Sequence, residues 1–179
     1  MLQIKFLDLS KQQKTIEKNL RINLEKVLAD SKFIMGPEVK KLESRLEIYT
    51  KTNYCITCSS GTDALILSLL ALDIGKGDIV FCPSFTFPAT AEAILMVGAT
   101  PVFVDNDDFY LIKTDKLERK INKKTKAIIA VNLYGQLAEL SKLRKIAKEK
   151  NIYLIEDSAQ SHGAKFKEKN SGDFSIAAG

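Results

Sequence analysis

The sequence contains few of the residues on which disulfide-bonded, metal-binding and membrane proteins depend. Its 179 residues include three cysteines and one histidine. An odd number of cysteines argues against a secreted disulfide framework, and a zinc site would need all three of them together with the lone His162, so we expect no metal. No apolar run approaches the roughly 18 residues of a membrane span, and the first residues lack a signal-peptide core. These absences predict a cytoplasmic protein without a membrane segment.

The charge of the chain is positive, but its distribution argues against a nucleic-acid partner. The formal net charge is +5, and 45% of the residues are apolar, as in a globular protein with a core. The lysines are scattered through amphipathic stretches at 116–126 and 142–150, where apolar residues and glutamates separate them. Such stretches are typical of solvated helix faces. The sequence also lacks an arginine cluster and the aromatic platform of single-strand binders, so we expect no binding of nucleic acid.

The hydrophobic pattern predicts an α/β fold behind an N-terminal helical segment. Apolar residues recur at helical spacing over 11–30, and Pro37 is well placed to begin a second helix. Further along, short apolar runs alternate with helical stretches. We predict strands at 54–58, 79–82, 101–105, 127–132 and 152–156, and helices at about 62–72, 88–97, 115–121 and 138–149. This alternation indicates a mostly parallel sheet flanked by helices. We expect residues 1–36 to form a helical arm and residues 37–179 to form part of a larger ligand-binding domain.

Ligands of open α/β sheets bind beyond the carboxyl ends of the strands, so the chemistry is expected there. The sequence "SSGTDAL" (59–65) follows a predicted strand and opens a helix. Its free backbone N–H groups and the positive end of the helix dipole favour a phosphate. Serine and threonine are also ordinary helix-capping residues, so this stretch alone does not distinguish a phosphate site from a simple cap.

Two further strand ends carry groups that suit a flat, charged ring. Phe85 and Phe87 follow the strand at 79–82, where one of them could stack on a heteroaromatic ring, although both could instead belong to the core. Asp157 follows the strand at 152–156, and a buried carboxylate suits the protonated nitrogen of a pyridine ring. Gln160 lies three residues further on. A phosphate cradle, a stacking aromatic and a ring-nitrogen carboxylate are the parts needed to hold pyridoxal 5'-phosphate.

The motifs also resemble those of a known family, over nearly the whole chain. The motifs are "FIMGPEV", "CSSGTDAL", "GDIVFCPSFTFPATAEAI", "GATPVFVD", "TKAIIAVNLYGQ" and "IEDSAQSHGA". They are similar to successive motifs of the DegT/StrS family of nucleotide-sugar aminotransferases. Within that family, the sequence most resembles aminotransferases that act on a UDP-linked 3-keto-glucuronic acid derivative. The resemblance implies the large domain of the aspartate-aminotransferase fold, also called fold type I of the pyridoxal-phosphate enzymes.

The resemblance assigns a role to each of several residues. It implies that Gly61 and Thr62 bind the cofactor phosphate, that Phe87 stacks on the pyridine ring, and that Gln160 hydrogen-bonds the phenolic oxygen. Asp157 would hold the ring nitrogen protonated, which makes it the catalytic residue of this chain. Two residues of "NLYG" would lie on the substrate side, namely Asn132 and Tyr134.

The resemblance also implies a lysine that forms a Schiff base with the cofactor, and this lysine would follow the segment that begins "GDFSIAAG". The sequence ends at Gly179, so we expect a truncated chain that is inactive by itself. Lysines 165, 167 and 169 alternate with other residues in a predicted exposed hairpin, and we do not assign the role to them.

The predicted activity is transamination of a nucleotide-linked keto sugar, with L-glutamate as amino donor, in surface polysaccharide biosynthesis. The family also implies a homodimer. One alternative is a sugar dehydratase of the same fold, which carries histidine in place of the lysine. A second alternative is a non-catalytic remnant or a regulatory binding protein.

Overall fold

The computed structural model describes residues 6–115 and 117–179. The helices of these residues are α1 (Ser10–Asp30), α2 (Pro37–Thr50), α3 (Gly61–Ala71), α4 (Ala89–Met96), α5 (Leu117–Lys120) and α6 (Leu140–Lys150). The strands are β1 (Ile79–Pro83), β2 (Thr100–Val104), β3 (Thr125–Val131), β4 (Tyr153–Asp157), β5 (Lys165–Phe166), β6 (Lys169–Asn170) and β7 (Ala177–Ala178). No helix within the described residues is long and apolar enough to cross a membrane.

The chain divides into two compact units, one ending at Arg45 and the other beginning at Leu46. The division falls inside α2. The first unit contains α1, whose predicted helical periodicity is confirmed, although α1 buries none of its residues. The predicted arm of residues 1–36 lies in this unit, and its first five residues lie outside the described part.

The second unit contains a five-stranded sheet in the order β2-β1-β3-β4-β7. Every neighbouring pair in this sheet is parallel, so the predicted fold class is confirmed. The chain leaves β1 for β2 on one side and then returns to β3 on the other side. Strand order therefore reverses between β1 and β3, and such a switch point leaves a crevice at the carboxyl ends of the strands.

Both faces of the sheet are covered by helices, which explains the continuous apolar runs of its central strands. Leu65 and Leu69 of α3 pack with Ile94 of α4 against one face. Leu143 and Ile146 of α6 pack against the other face. Successive residues of a strand point to opposite faces, so each of these strands contributes to both clusters.

The strand predicted at 54–58 is wrong, because this segment has no regular secondary structure. A strand needs a neighbour to share its backbone hydrogen bonds, and none of the described strands pairs with this segment. Tyr54 and Ile56 are exposed, so the apolar run is not buried either. The N–H of Cys55 donates instead to the Glu47 carboxylate, at 3.0 Å.

The hairpin predicted around residues 165–169 is present as the antiparallel pair of β5 and β6, and its three lysines are exposed. The side-chain amide of Asn170 donates to the backbone carbonyl of Tyr49, at 3.1 Å. Gly163 has a φ of +86°, and a Cβ there would lie 2.6 Å from the Tyr49 hydroxyl. The close approach and the left-handed backbone both require glycine at this position.

Candidate active site

A cavity of about 230 Å³ lies at the carboxyl ends of β1, β3 and β4, beside the beginning of α3. Its lining includes the five residues to which the family resemblance assigns cofactor binding, namely Gly61, Thr62, Phe87, Asp157 and Gln160. These residues come from three separate parts of the chain, and the switch point of the sheet brings them together.

The first turn of α3 presents unpaired backbone donors to this cavity. Ser60 caps the helix, because its hydroxyl accepts from the N–H of Asp63 at 3.1 Å and its carbonyl accepts from the N–H of Ala64 at 3.0 Å. The N–H groups of Gly61 and Thr62 have no acceptor among the described residues. Two donors at the positive end of an 11-residue helix suit an anionic group.

Asp63 lies in the same turn but is occupied by the helix cap. The hydroxyls of Ser59 and Ser60 donate to its carboxylate, and these hydrogen bonds lower the pKa of Asp63. The negative charge of Asp63 is therefore stabilised by hydrogen bonds from the two serines. The cavity includes Gly61 and Thr62 but does not include Asp63.

Asp157 is almost fully buried at the end of β4 and has no cationic partner among the described residues. One carboxylate oxygen accepts from the Thr90 hydroxyl at 2.8 Å, and the other accepts from the Ala159 N–H at 3.3 Å. The Thr86 and Thr90 hydroxyls lie 3.0 Å apart, and since Thr90 donates to Asp157, Thr86 donates to Thr90. A carboxylate can accept about four hydrogen bonds, so Asp157 retains room for a donor from a ligand.

Thr90 was missed in the sequence analysis. It is completely buried in the first turn of α4, within the motif "GDIVFCPSFTFPATAEAI". A threonine in a helix is unremarkable by itself, and only its contact with a residue 67 positions away gives it a role.

Gln160 lines the cavity and bonds to Tyr134, which follows the lining residue Leu133 but is not itself part of the lining. The side-chain oxygen of Gln160 accepts from the backbone N–H of Tyr134, at 2.9 Å. This contact leaves the side-chain NH2 of Gln160 as the group available to a ligand. Tyr134 has a φ of 56°, and its ring is exposed and lies edge-on to Tyr110 at a centroid distance of 6.4 Å.

The structure distinguishes the two phenylalanines that follow β1. Phe87 lines the cavity and is 69% exposed, so its ring is available to a ligand. Phe85 lies instead against Tyr110, with ring centroids 5.0 Å apart. Neither ring belongs to the buried core, which was the alternative left open by the sequence.

The structure does not bring Asn132 to the cavity. Its side chain is completely buried; its oxygen accepts from the Ala138 N–H at 3.0 Å, and its NH2 donates to Glu156 at 3.1 Å. The substrate-side role of Asn132 stays a prediction, and the contacts of this side chain are structural. His162 is also absent from the cavity lining, and its ring lies 5.2 Å from that of Tyr49.

Comparison with known proteins identifies the family of the chain. Residues 14–179 match the model of the DegT/DnrJ/EryC1/StrS aminotransferase family. The chain belongs to this family.

Two curated relatives illustrate the similarity. The chain is 44% identical over 176 residues to the UDP-2-acetamido-2-deoxy-3-oxo-D-glucuronate aminotransferase of Pseudomonas aeruginosa, covering 98% of this chain and 49% of that protein. It is 42% identical to the dTDP-3-amino-3,6-dideoxy-alpha-D-galactopyranose transaminase of Aneurinibacillus thermoaerophilus, again covering 98% and 49%. The chain thus spans about half the length of these relatives.

Two solved structures share the fold of this chain. A DegT DnrJ EryC1 StrS aminotransferase from Brucella abortus matches with a TM-score of 0.90 and 40% identity, over 95% of this chain and 48% of that one. The NtdA protein of Bacillus subtilis, solved with bound cofactor PMP, matches with a TM-score of 0.84 and 34% identity, over 89% and 37%.

Proposed function

We propose that the cavity binds pyridoxal 5'-phosphate and its amine form, and that the protein transaminates a nucleotide-linked keto sugar. The observation that carries this proposal is the convergence of complementary groups on one cavity. Within residues 6–115 and 117–179, two backbone N–H groups without acceptors, an exposed aromatic ring, a buried carboxylate without a cation and a side-chain NH2 all lie around it.

Each of these groups would suit one part of the cofactor. The N–H groups of Gly61 and Thr62 would bind its phosphate, and Phe87 would stack on its ring. The carboxylate of Asp157 would accept from the protonated ring nitrogen, a charged hydrogen bond worth about 1.5–3 kcal/mol. The side-chain NH2 of Gln160 would donate to the phenolic oxygen.

When bound, this cofactor supplies an electron sink that stabilises negative charge on the carbon next to nitrogen. The part of Asp157 in that chemistry is to keep the proton on the ring nitrogen, because a neutral ring withdraws electrons less strongly. Thr90 and the Ala159 N–H hold the carboxylate in one orientation. Phe87 lines the cavity and would exclude water from a ring bound there.

The substrate part of the proposal rests on the relatives. Their names describe aminotransferases of UDP-linked and dTDP-linked sugars. We propose a UDP-linked 3-keto sugar as acceptor and L-glutamate as donor, in the biosynthesis of a surface polysaccharide. The proposal includes a homodimer in the cytoplasm, with Tyr134 on the substrate side.

The direct test is binding of pyridoxamine 5'-phosphate, since this amine form cannot react covalently with surface lysines. Isothermal titration should show binding at one site per chain, and pyridoxamine without the phosphate should bind much more weakly. Equal affinity for the two ligands would contradict the phosphate site at α3. No binding of either would contradict the cofactor proposal.

The proposed reaction is tested with the natural gene product. Incubation with a UDP-linked 3-keto sugar and L-glutamate should release 2-oxoglutarate and give an amino sugar, which mass spectrometry detects. A deoxygenated sugar formed without 2-oxoglutarate would show a dehydratase instead.

A further inference from the structure

Glu156 is a completely buried carboxylate that takes no part in the proposed cofactor site. It precedes Asp157 on β4 and points to the opposite face of the sheet, as strand geometry requires. No lysine, arginine or histidine forms an ion pair with it in residues 6–115 and 117–179. A buried carboxylate without a cation must be stabilised by hydrogen bonds.

Three N–H donors surround this carboxylate. One oxygen accepts from the Asn132 side-chain NH2 at 3.1 Å and from the Gly172 N–H at 3.0 Å. The other oxygen accepts from the Phe174 N–H at 3.1 Å. Glu156 therefore ties the segment around residues 172–174 to the end of β3.

The same network reaches the turn that carries Gln160. The Ser171 hydroxyl lies 2.8 Å from the hydroxyls of both Ser158 and Ser161, which are the residues on either side of Ala159 and Gln160. The Asn132 NH2 lies within 3.2 Å of Ser171 and 3.4 Å of Ser158. The turn at 158–161 is thus held by hydrogen bonds to groups that Glu156 and Asn132 orient.

Asn132 extends the network to the second loop beside the cavity. Its side-chain oxygen accepts from the Ala138 N–H, which closes the segment 132–138. Tyr134 lies in this segment and donates its N–H to Gln160. Gln160 and Tyr134 therefore both lie in segments that bond to the Glu156–Asn132 pair.

We propose that Glu156 and Asn132 are positioning residues, which lock the turn at 158–161 and the loop at 132–138 so that the Gln160 amide faces the cavity. This inference rests on the proposed function for the identity of the ligand. It assigns to Asn132 the role of holding two segments beside the cavity without lining the cavity itself.

The test is the Glu156→Gln variant, which keeps the side-chain shape. A glutamine must direct its NH2 toward either the Phe174 N–H or the donors of Asn132 and Gly172, so at least one hydrogen bond is replaced by a repulsion. We expect faster amide hydrogen exchange in peptides covering 132–138 and 158–162, with unchanged exchange in β1. We also expect the affinity for pyridoxamine 5'-phosphate to fall about tenfold.

A control variant separates positioning from loss of stability. Leu143→Ala opens a cavity in the buried face of α6; Leu143 shares its core cluster with Phe174 and Ala138 but makes none of the hydrogen bonds of the network. Its thermal midpoint should fall, but its affinity for pyridoxamine 5'-phosphate should stay within about twofold of the wild type. Ser171→Ala removes the central hydroxyl without adding a donor and should reproduce the Glu156→Gln effects more weakly, even if Glu156→Gln fails to fold.

The outcomes are distinguishable. Wild-type affinity and exchange in both Glu156→Gln and Ser171→Ala would overturn the positioning roles, as would an equal loss of affinity in Leu143→Ala. If the wild-type protein bound no pyridoxamine 5'-phosphate, the proposed function would fail. The exchange measurements alone would then decide whether the Glu156–Asn132 pair locks the two loops.

Discussion

The Thr90 hydroxyl donates a hydrogen bond of 2.8 Å to the Asp157 carboxylate, joining the first turn of α4 to the end of β4. Phe87 lies three residues before Thr90 and lines the same cavity as Asp157. One short segment therefore presents the aromatic ring and orients the carboxylate.

Replacing Thr90 with valine should destabilise the fold. Valine keeps the shape of the side chain but leaves a buried carboxylate oxygen without its donor, at a cost of about 1–3 kcal/mol. Urea unfolding measures this free energy. Thr90→Ser keeps the hydroxyl and should lose less, so equal stability of Thr90→Val and Thr90→Ser would contradict the role of the hydrogen bond.

Replacing Asp157 with asparagine should affect turnover far more than cofactor binding. The amide cannot keep the ring nitrogen protonated, and loss of one such electrostatic group lowers kcat about 100-fold or more. The kcat of the active protein and the Kd of pyridoxamine 5'-phosphate are the two measurements. Asp105→Asn is the matched control, because Asp105 is an exposed carboxylate after another strand. Near wild-type kcat in Asp157→Asn would refute the assignment.

Replacing Phe87 with alanine should weaken cofactor binding with little effect on folding, since the ring is largely exposed. A stacking contact is worth about 0.5–1.5 kcal/mol, which corresponds to roughly two- to tenfold in Kd. Phe85→Ala removes the neighbouring ring, which packs on Tyr110, and should leave the Kd unchanged. A larger effect from Phe85→Ala would reverse the assignment of the two rings.

Replacing Gly61 with alanine should separate stability from binding. The new Cβ would meet only the Ala159 Cβ, at 4.0 Å, so we expect no loss of folding free energy and a gain of up to about 1 kcal/mol. The added methyl group would lie between two residues that line the cavity, and the Kd of pyridoxamine 5'-phosphate should rise. Unchanged affinity would show that the ligand does not approach α3 closely.

Stability should fall at alkaline pH because of Cys82, which is buried in β1. Burial raises the pKa of its thiol from 9.0 to about 11. The unfolded chain therefore loses this proton first, and the stability contributed by the neutral thiol is lost as the pH rises from about 9 through about 11.

Comparison with Cys82→Ala isolates this contribution from other groups that titrate in the same range. The unfolding free energy of the wild type should fall relative to that of the variant by at most about 2–3 kcal/mol over this pH range. Parallel pH curves for the two proteins would show that the thiol has the same pKa in both states.

The sequence predicted the central sheet because strands covered on both faces form continuous apolar runs that differ from the amphipathic helices between them. The same criterion failed at 54–58. An apolar run predicts burial, and Tyr54 and Ile56 are exposed. A strand also requires a neighbour, which the residues of the segment do not specify, and none of the described strands pairs with it.

The cavity was predictable for a similar reason, since parallel strands direct their carboxyl ends to one edge. The sequence located Phe87 and Asp157 but not their support. The bond from Thr90 to Asp157 and the serines behind Gln160 depend on contacts between distant segments. The orientation of Asn132 toward Glu156 also depends on the folded loop rather than on the motif.

The adjacent carboxylates of Glu156 and Asp157 make the length of β4 unusually intolerant of change. Deleting one residue upstream in this strand would shift its register by one and turn every following side chain to the other face. The Glu156 carboxylate would then lie on the face of the sheet that Asp157 now occupies, and the Asp157 carboxylate would take the place of Glu156 among its backbone donors. An insertion or deletion here would therefore disrupt both the cavity lining at Asp157 and the hydrogen bonds of Glu156, whereas the exposed hairpin of β5 and β6 should tolerate changes in length.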